Sequence, residues 1–128
     1  MQHTINKVKE FHKVFGLEFH EEPTVSISDR IIELRHRLMQ EENDEYLEAA
    51  KAHNLTLVAD ALGDKLYILC GTIIAHGLQH KILDVFEEIH RSNMSKLDEE
   101  GKPIYREDGK IMKSKKYFLP DIKTVLEK

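Results

Sequence analysis

The sequence contains no tryptophan, one cysteine, three prolines and six glycines among its 128 residues. The lone Cys70 excludes an intramolecular disulfide and any zinc site built from clustered cysteines. So few helix breakers favour long regular elements, chiefly helices. No apolar run approaches the roughly 20 residues that span a bilayer, and the opening MQHTINKVKE has no apolar signal core. No membrane partner and a reducing, cytoplasmic setting are therefore expected. Basic charge is not in excess either. Nineteen Lys and Arg face 23 Asp and Glu, for a net charge of −4. A protein that grips a nucleic-acid polymer through a broad basic field is not expected from that balance. What the chain does have is 41% hydrophobic and 33% charged residues, the composition of a soluble globular protein. Its length predicts a single domain over 1–128, large enough to bury a core.

Periodicity divides the chain into helices. Val8, Phe11, Val14 and Phe15 recur at three- and four-residue spacing, predicting a helix from Thr4 to Phe15 that stops at Gly16. Pro23 breaks the connector that follows. Ser26 or Ser28 caps a second helix, with Asp29 at its positive end, running to about His53 and leaving through Asn54. Thr56 caps a third that reaches about His76 and ends at Gly77. A fourth extends from Leu78 or Gln79 to Asn93. Residues 96–117 are polar and rich in turn formers, and Asp108-Gly109 between two short runs predicts a small hairpin. Pro120 and Asp121 open a short last helix. The expected fold is all-α: a four-helix-bundle-like core with a small C-terminal loop or hairpin and a short terminal helix.

The second helix carries an anomaly. Wound at about 100° per residue, Ile31, Leu34, Leu38 and Ala49 share a face with Glu41, Glu42, Glu45 and Glu48. Charged side chains ordinarily sit opposite the apolar stripe, and burying them unpaired costs several kcal/mol each. The third helix repeats the pattern, with Asp64 inside the stripe of Leu57, Ala61, Ile68 and Ala75, and Asp60 one turn earlier. A short link at 54–56 brings the two acidic groups to similar depth if the helices pack antiparallel. Oxygen ligands without cysteine suit a hard cation, Mg²⁺ or Mn²⁺, with room left for phosphate oxygens. The blander reading is a solvated face laced with i,i+4 ion pairs.

Glu41-Glu42-Asn43-Asp44-Glu45, followed by Asp60-Ala61-Leu62-Gly63-Asp64-Lys65-Leu66-Tyr67, resembles the all-α nucleoside triphosphate pyrophosphohydrolases. This is the MazG-like superfamily, with phosphoribosyl-ATP pyrophosphohydrolase and the dimeric dUTPases, whose pattern is E-E-x-x-E and then E-x-x-D on the next helix. The likeness continues through residues 67–72 and 90–96 and covers about residues 5–125. It implies Mg²⁺-dependent cleavage between the α and β phosphates of a nucleotide, giving a monophosphate and pyrophosphate, and a homodimer or homotetramer. Glu42 and Glu45 match the first acidic pair and Asp64 the final aspartate. Ala61 stands where the family has glutamate, and Asp60 is the candidate replacement. The implied metal ligands are then Glu42, Glu45, Asp60 and Asp64. Asn93 and Lys96 match a stretch that contacts the nucleotide in relatives.

Elementary chemistry agrees with that reading. An acidic site binds a triphosphate only through cations, and a spare carboxylate such as Glu41 is placed to orient or deprotonate a water. Arg91, Lys96, Lys110 and Lys113 are the positive groups available to the phosphates. No glycine-rich phosphate loop is present. His76 and His80, four residues apart, straddle Gly77 and read as helix-end histidines rather than zinc ligands. Cys70 reads as core. The competing function is a non-catalytic helical regulatory or assembly module that keeps the fold, and Ala61 is the feature that favours it.

Overall fold

The computed structural model describes all 128 residues and is all-α apart from one two-stranded ribbon. The chain divides into two compact units, residues 1–80 and 81–128. The first holds α1 (Gln2–Phe15), α2 (Asp29–Lys51) and α3 (Leu55–Ala75). The second holds α4 (Ile82–Met94), β1 (Ile104–Tyr105), β2 (Ile111–Met112) and α5 (Ile122–Glu127).

Helix α1 ends at Gly16, in the left-handed conformation. Ser28 caps α2, its hydroxyl accepting from the Ile31 amide at 3.2 Å. The next boundary differs from the sequence expectation. Asn54 serves both helices: its amide donates to the Ala49 carbonyl at 3.1 Å as α2 ends, and its side chain accepts from the Leu57 amide at 3.1 Å and opens α3 in place of Thr56. An asparagine just before an apolar run satisfies the first orphan amides of a helix better than a threonine already inside it. Helix α4 likewise starts at Ile82, three to four residues later than its apolar pattern suggested, because residues 79–81 form a turn after Gly77.

The core of the first unit is Ile5 and Val8 from α1, Ala49 from α2, and Ala61, Cys70, Ile74 and Ala75 from α3. Small residues on the facing sides of α2 and α3 let these helices approach closely. Two buried polar groups share this core. The Arg35 guanidinium donates from Nε to Thr72 Oγ1 at 3.1 Å and from Nη2 to the Ile68 carbonyl at 2.8 Å. Buried His12 donates from Nδ1 to the Glu18 carbonyl at 3.1 Å, and burial, with the Arg35 charge nearby, holds its pKa below the ordinary histidine value. Gly71 makes room for both. A Cβ there would lie 2.5 Å from Arg35 Nη2 and 3.0 Å from His12 Nε2. Gly71→Ala is therefore expected to cost about 1–3 kcal/mol of stability, as overpacking does. Denaturant unfolding of the two proteins checks it, and an unchanged midpoint would mean that the arginine has slack.

A strap, residues 20–24, closes the C-terminal end of α3. The His20 amide donates to the Ile74 carbonyl at 3.0 Å, its Nδ1 to the Ala75 carbonyl at 2.8 Å, and the Thr24 amide to the His76 carbonyl at 2.9 Å. Buried Gln79 holds the strap from the other side, donating to the His20 carbonyl at 2.8 Å. Gly77 has φ 66° and sits where a Cβ would fall 2.0 Å from the Glu22 carbonyl oxygen; no side chain fits there.

In the second unit, β1 and β2 pair antiparallel, Ile104 opposite Met112 and Tyr105 opposite Ile111, about the expected Asp108-Gly109 turn. Asp121 caps α5, accepting from the Thr124 amide at 3.2 Å. No helix is long and apolar enough to cross a membrane.

Candidate metal centre on the α2–α3 hairpin

Residues 52–54 turn the chain so that α3 runs back along α2. Cross-links between them give the register. Arg35 reaches Ile68 and Thr72, and Lys65 donates to Asn43. Positions whose numbers sum to about 107 are thus level, and Glu42 stands level with Asp64 and Lys65.

That register gathers three of the acidic residues that the sequence singled out. One oxygen each from Glu42, Glu45 and Asp64 lies within 4.8 Å of the others. Glu42 is half-buried, Glu45 and Asp64 are exposed, and Glu42 Oε2 is shut off from solvent with no hydrogen-bond partner. Its pKa is pushed up from 4.5 to about 7. Burial contributes most, followed by the hydrogen bond that protonated Glu42 gives Glu45 and the charges of Glu45, Asp64 and Asp60. A donor set of oxygens only, one of them orphaned, and a carboxyl that keeps its proton near neutrality for want of positive charge, fit a hard divalent cation.

The other predicted residues stand apart from this group. Asp60 acts on Glu42 through its charge but is outside the three-oxygen cluster. It lines a neighbouring pocket of about 280 Å³ with Glu45, Glu48, Ala49, Ala52, Leu57 and Ala61. Ala61 is buried in that wall, so the place of a family glutamate is taken by a methyl group beside open space. Glu41 faces solvent, 3.8 Å from Arg37, although the helical wheel set it beside Glu42. His76 donates from Nδ1 to the Thr24 carbonyl at 2.9 Å and has a structural part in the strap.

In the second unit, Arg91 is bound to Glu88 through two bonds of 2.9 and 3.2 Å and lies 4.4 Å over the Phe118 ring. Glu88, held below the usual glutamate range mainly by Arg91, also accepts from the Asp121 amide at 2.7 Å. Ser92, between Arg91 and Asn93, is buried and donates to the Phe118 carbonyl at 2.7 Å. Asn93, Lys110 and Lys113 are exposed and Lys96 is half-buried. Lys113 Nζ sits 4.8 Å from the Tyr117 ring. Sequence reasoning passed over Arg35 and Ser92. Arg35 had a visible signal, a basic residue within the Leu34–Leu38 stripe; Ser92 had none.

A helical hairpin presenting three carboxylates to one point defines an all-α protein with a candidate divalent-cation centre. Comparison with known proteins makes the class specific. The phosphoribosyl-ATP pyrophosphohydrolase family matches residues 8–93. The chain belongs to that family, and with it to the MazG-like nucleotide pyrophosphohydrolases. Among solved structures, one from Exiguobacterium sp. 255-15, described provisionally as an NTP pyrophosphohydrolase, is similar over 97% of this chain and 94% of that one. Its TM-score is 0.54 and its identity 24%, so this likeness speaks to the fold. No curated protein matches.

Proposed function

We propose that this chain hydrolyses a nucleoside triphosphate, or a related phosphorylated nucleotide, at the α–β phosphoanhydride in a Mg²⁺-dependent reaction. Water adds to one phosphorus, the bridging P–O bond breaks, and a monophosphate and pyrophosphate leave. The three-carboxylate cluster with its orphaned Glu42 oxygen carries this reading. Glu42, Glu45 and Asp64 would hold the cation, with Asp60 the further carboxylate beside them. Bound Mg²⁺, or Mn²⁺, neutralises phosphate charge and makes a nearby water more acidic. Glu41, free of the cluster, is the residue proposed to take a proton from the attacking water. Lys96, Lys110 and Lys113 are the proposed phosphate contacts. Arg91, committed to Glu88, is left to position the segment 91–96. Asn93, whose amide offers both donor and acceptor groups, suits a base or sugar edge. The substrate class includes modified or damaged nucleotides removed in cellular house-cleaning, and the proposed setting is the cytoplasm, as a homo-oligomer.

A panel of nucleoside triphosphates tests this. Pyrophosphate and monophosphate are expected in equal amounts from at least one, with Mg²⁺ or Mn²⁺ and not with chelator. Orthophosphate alone would reject α–β cleavage. Silence across the panel would favour the second reading, a non-catalytic module, which rests on the alanine at 61.

A further inference from the structure

The buried stripe of α1 runs past the end of its core. Ile5, Val8 and His12 are buried, and Phe15 continues the same side of the helix, seven residues after Val8 and three after His12. Its ring is nonetheless 65% exposed. Beside it, the Phe11 ring lies 4.4 Å from Phe15 and 5.6 Å from Tyr67 of α3, edge to face with the latter. Three aromatic rings are thus gathered in one place and left partly in water, Phe11 at 38% and Tyr67 at 42%. We propose that they form the platform on which the base of the substrate nucleotide stacks while its phosphates lie on the acidic centre.

Helix geometry sets the rings beside that centre. Tyr67 follows Asp64 by three residues on α3, which puts their Cβ atoms about 5–6 Å apart on one side of the helix. A long side chain on a helix leans toward its N-terminus, and for Tyr67 that is toward Asp64. The position four before Tyr67 is Gly63, where a Cβ would meet nothing within 4 Å, so the surface beside them is open. Helix α1 runs antiparallel to α3. Lys9 is tied at 2.6 Å to Glu21, in the strap on Ile74 and Ala75, whereas Phe11 meets Tyr67. One further turn along α1 therefore carries Phe15 toward the level of Asp64.

The arrangement suits a planar base. Phe11 and Tyr67 meet at 87°, and a ring edge set against a ring face leaves an open face beside a wall. Stacking there reads the face of a base and not its edge, because every base has a π face. Purines, with the larger face, gain more from it than pyrimidines. Bases altered at their edge keep their face, which matches the modified or damaged nucleotides proposed above as substrates. The proposal rests on that reading and adds what holds the base.

Equilibrium binding of three probes to the full chain with Mg²⁺ tests it. Two are the α,β-methylene analogues of ATP and CTP, which cannot be cleaved at that position; the third is inorganic tripolyphosphate, which has no base. The ATP analogue is expected to bind more tightly than the CTP analogue. Phe15→Ala should weaken both analogues about tenfold, the loss of one stack, and leave tripolyphosphate unchanged. Phe15→Trp should bind them at least as well as wild type. Phe15→Leu, apolar but without a π face, should behave as the alanine variant. Equal loss for tripolyphosphate, or full affinity in Phe15→Leu, overturns the proposal. So does a Phe15→Ala chain that changes in sedimentation but not in nucleotide affinity, which would give the rings to a protein contact. If Phe15→Ala alters none of the three affinities, the platform falls and the acidic centre stands. If no probe binds wild type, the nucleotide reading falls and takes the platform with it.

Discussion

Asp64→Ala is expected to abolish pyrophosphate release while the chain stays folded. Asp64 is the only member of the cluster supplied by α3, and its oxygen is among those within 4.8 Å of one another. Without it, Glu42 and Glu45 leave only one helix to hold a cation. Loss of a partner that merely orients a ligand costs about 10–100-fold, so loss of a ligand itself should exceed that and fall below detection. The apo protein should not suffer. Asp64 is exposed and its charge adds to the repulsion on Glu42, so the variant should melt no lower than wild type in EDTA. Asp64→Asn, equal in shape, should behave alike. A variant that melts lower in EDTA but keeps its Mg²⁺ response would give Asp64 a structural partner and move the metal elsewhere.

The apo protein should lose stability as pH rises from about 4.5 to about 7. Glu42 has its folded pKa raised to about 7. Below pH 4.5 it is protonated in both states, and its contribution is fully present. Between 4.5 and 7 the unfolded chain sheds the proton while the folded chain retains it, so folding becomes progressively less favourable, and above 7 the loss is complete. A divalent cation reverses this, because it binds the ionised folded cluster and not the unfolded chain. At 100 times its dissociation constant it adds about 2.7 kcal/mol, roughly 10 °C in melting temperature for a chain of this size. The Mg²⁺ shift should grow from pH 5 to pH 8, read from melts with EDTA and with millimolar Mg²⁺. A shift independent of pH would mean that Glu42 is not a ligand.

The acidic centre was legible because Glu42 and Asp64 break a simple rule, charge on an apolar stripe, and because a short link between two helices sets their register. Glu41 was misplaced for a related reason. Adjacent helical positions differ by 100°, and a wheel drawn without knowing the direction of the partner helix cannot choose between neighbours flanking the stripe. Arg91 carries an i,i+3 ion pair with Glu88 that its reading as a phosphate ligand did not weigh, although the Glu88-x-x-Arg91 spacing is plain in the sequence. Asn54 and Thr56 are both good caps, and the competition between them is settled by where α2 runs out.

The strap at residues 20–24 has a consequence for local opening. The last carbonyls of a helix ordinarily look to water or to the residues immediately following. Here those of Ile74, Ala75 and His76 are taken by amides and an imidazole more than fifty residues earlier in the chain. An irregular segment is thereby given the exchange protection of a helix end, and the His20 and Thr24 amides open only when α3 unwinds. The loop and the last turn of α3 form one cooperative unit, although they are distant in sequence.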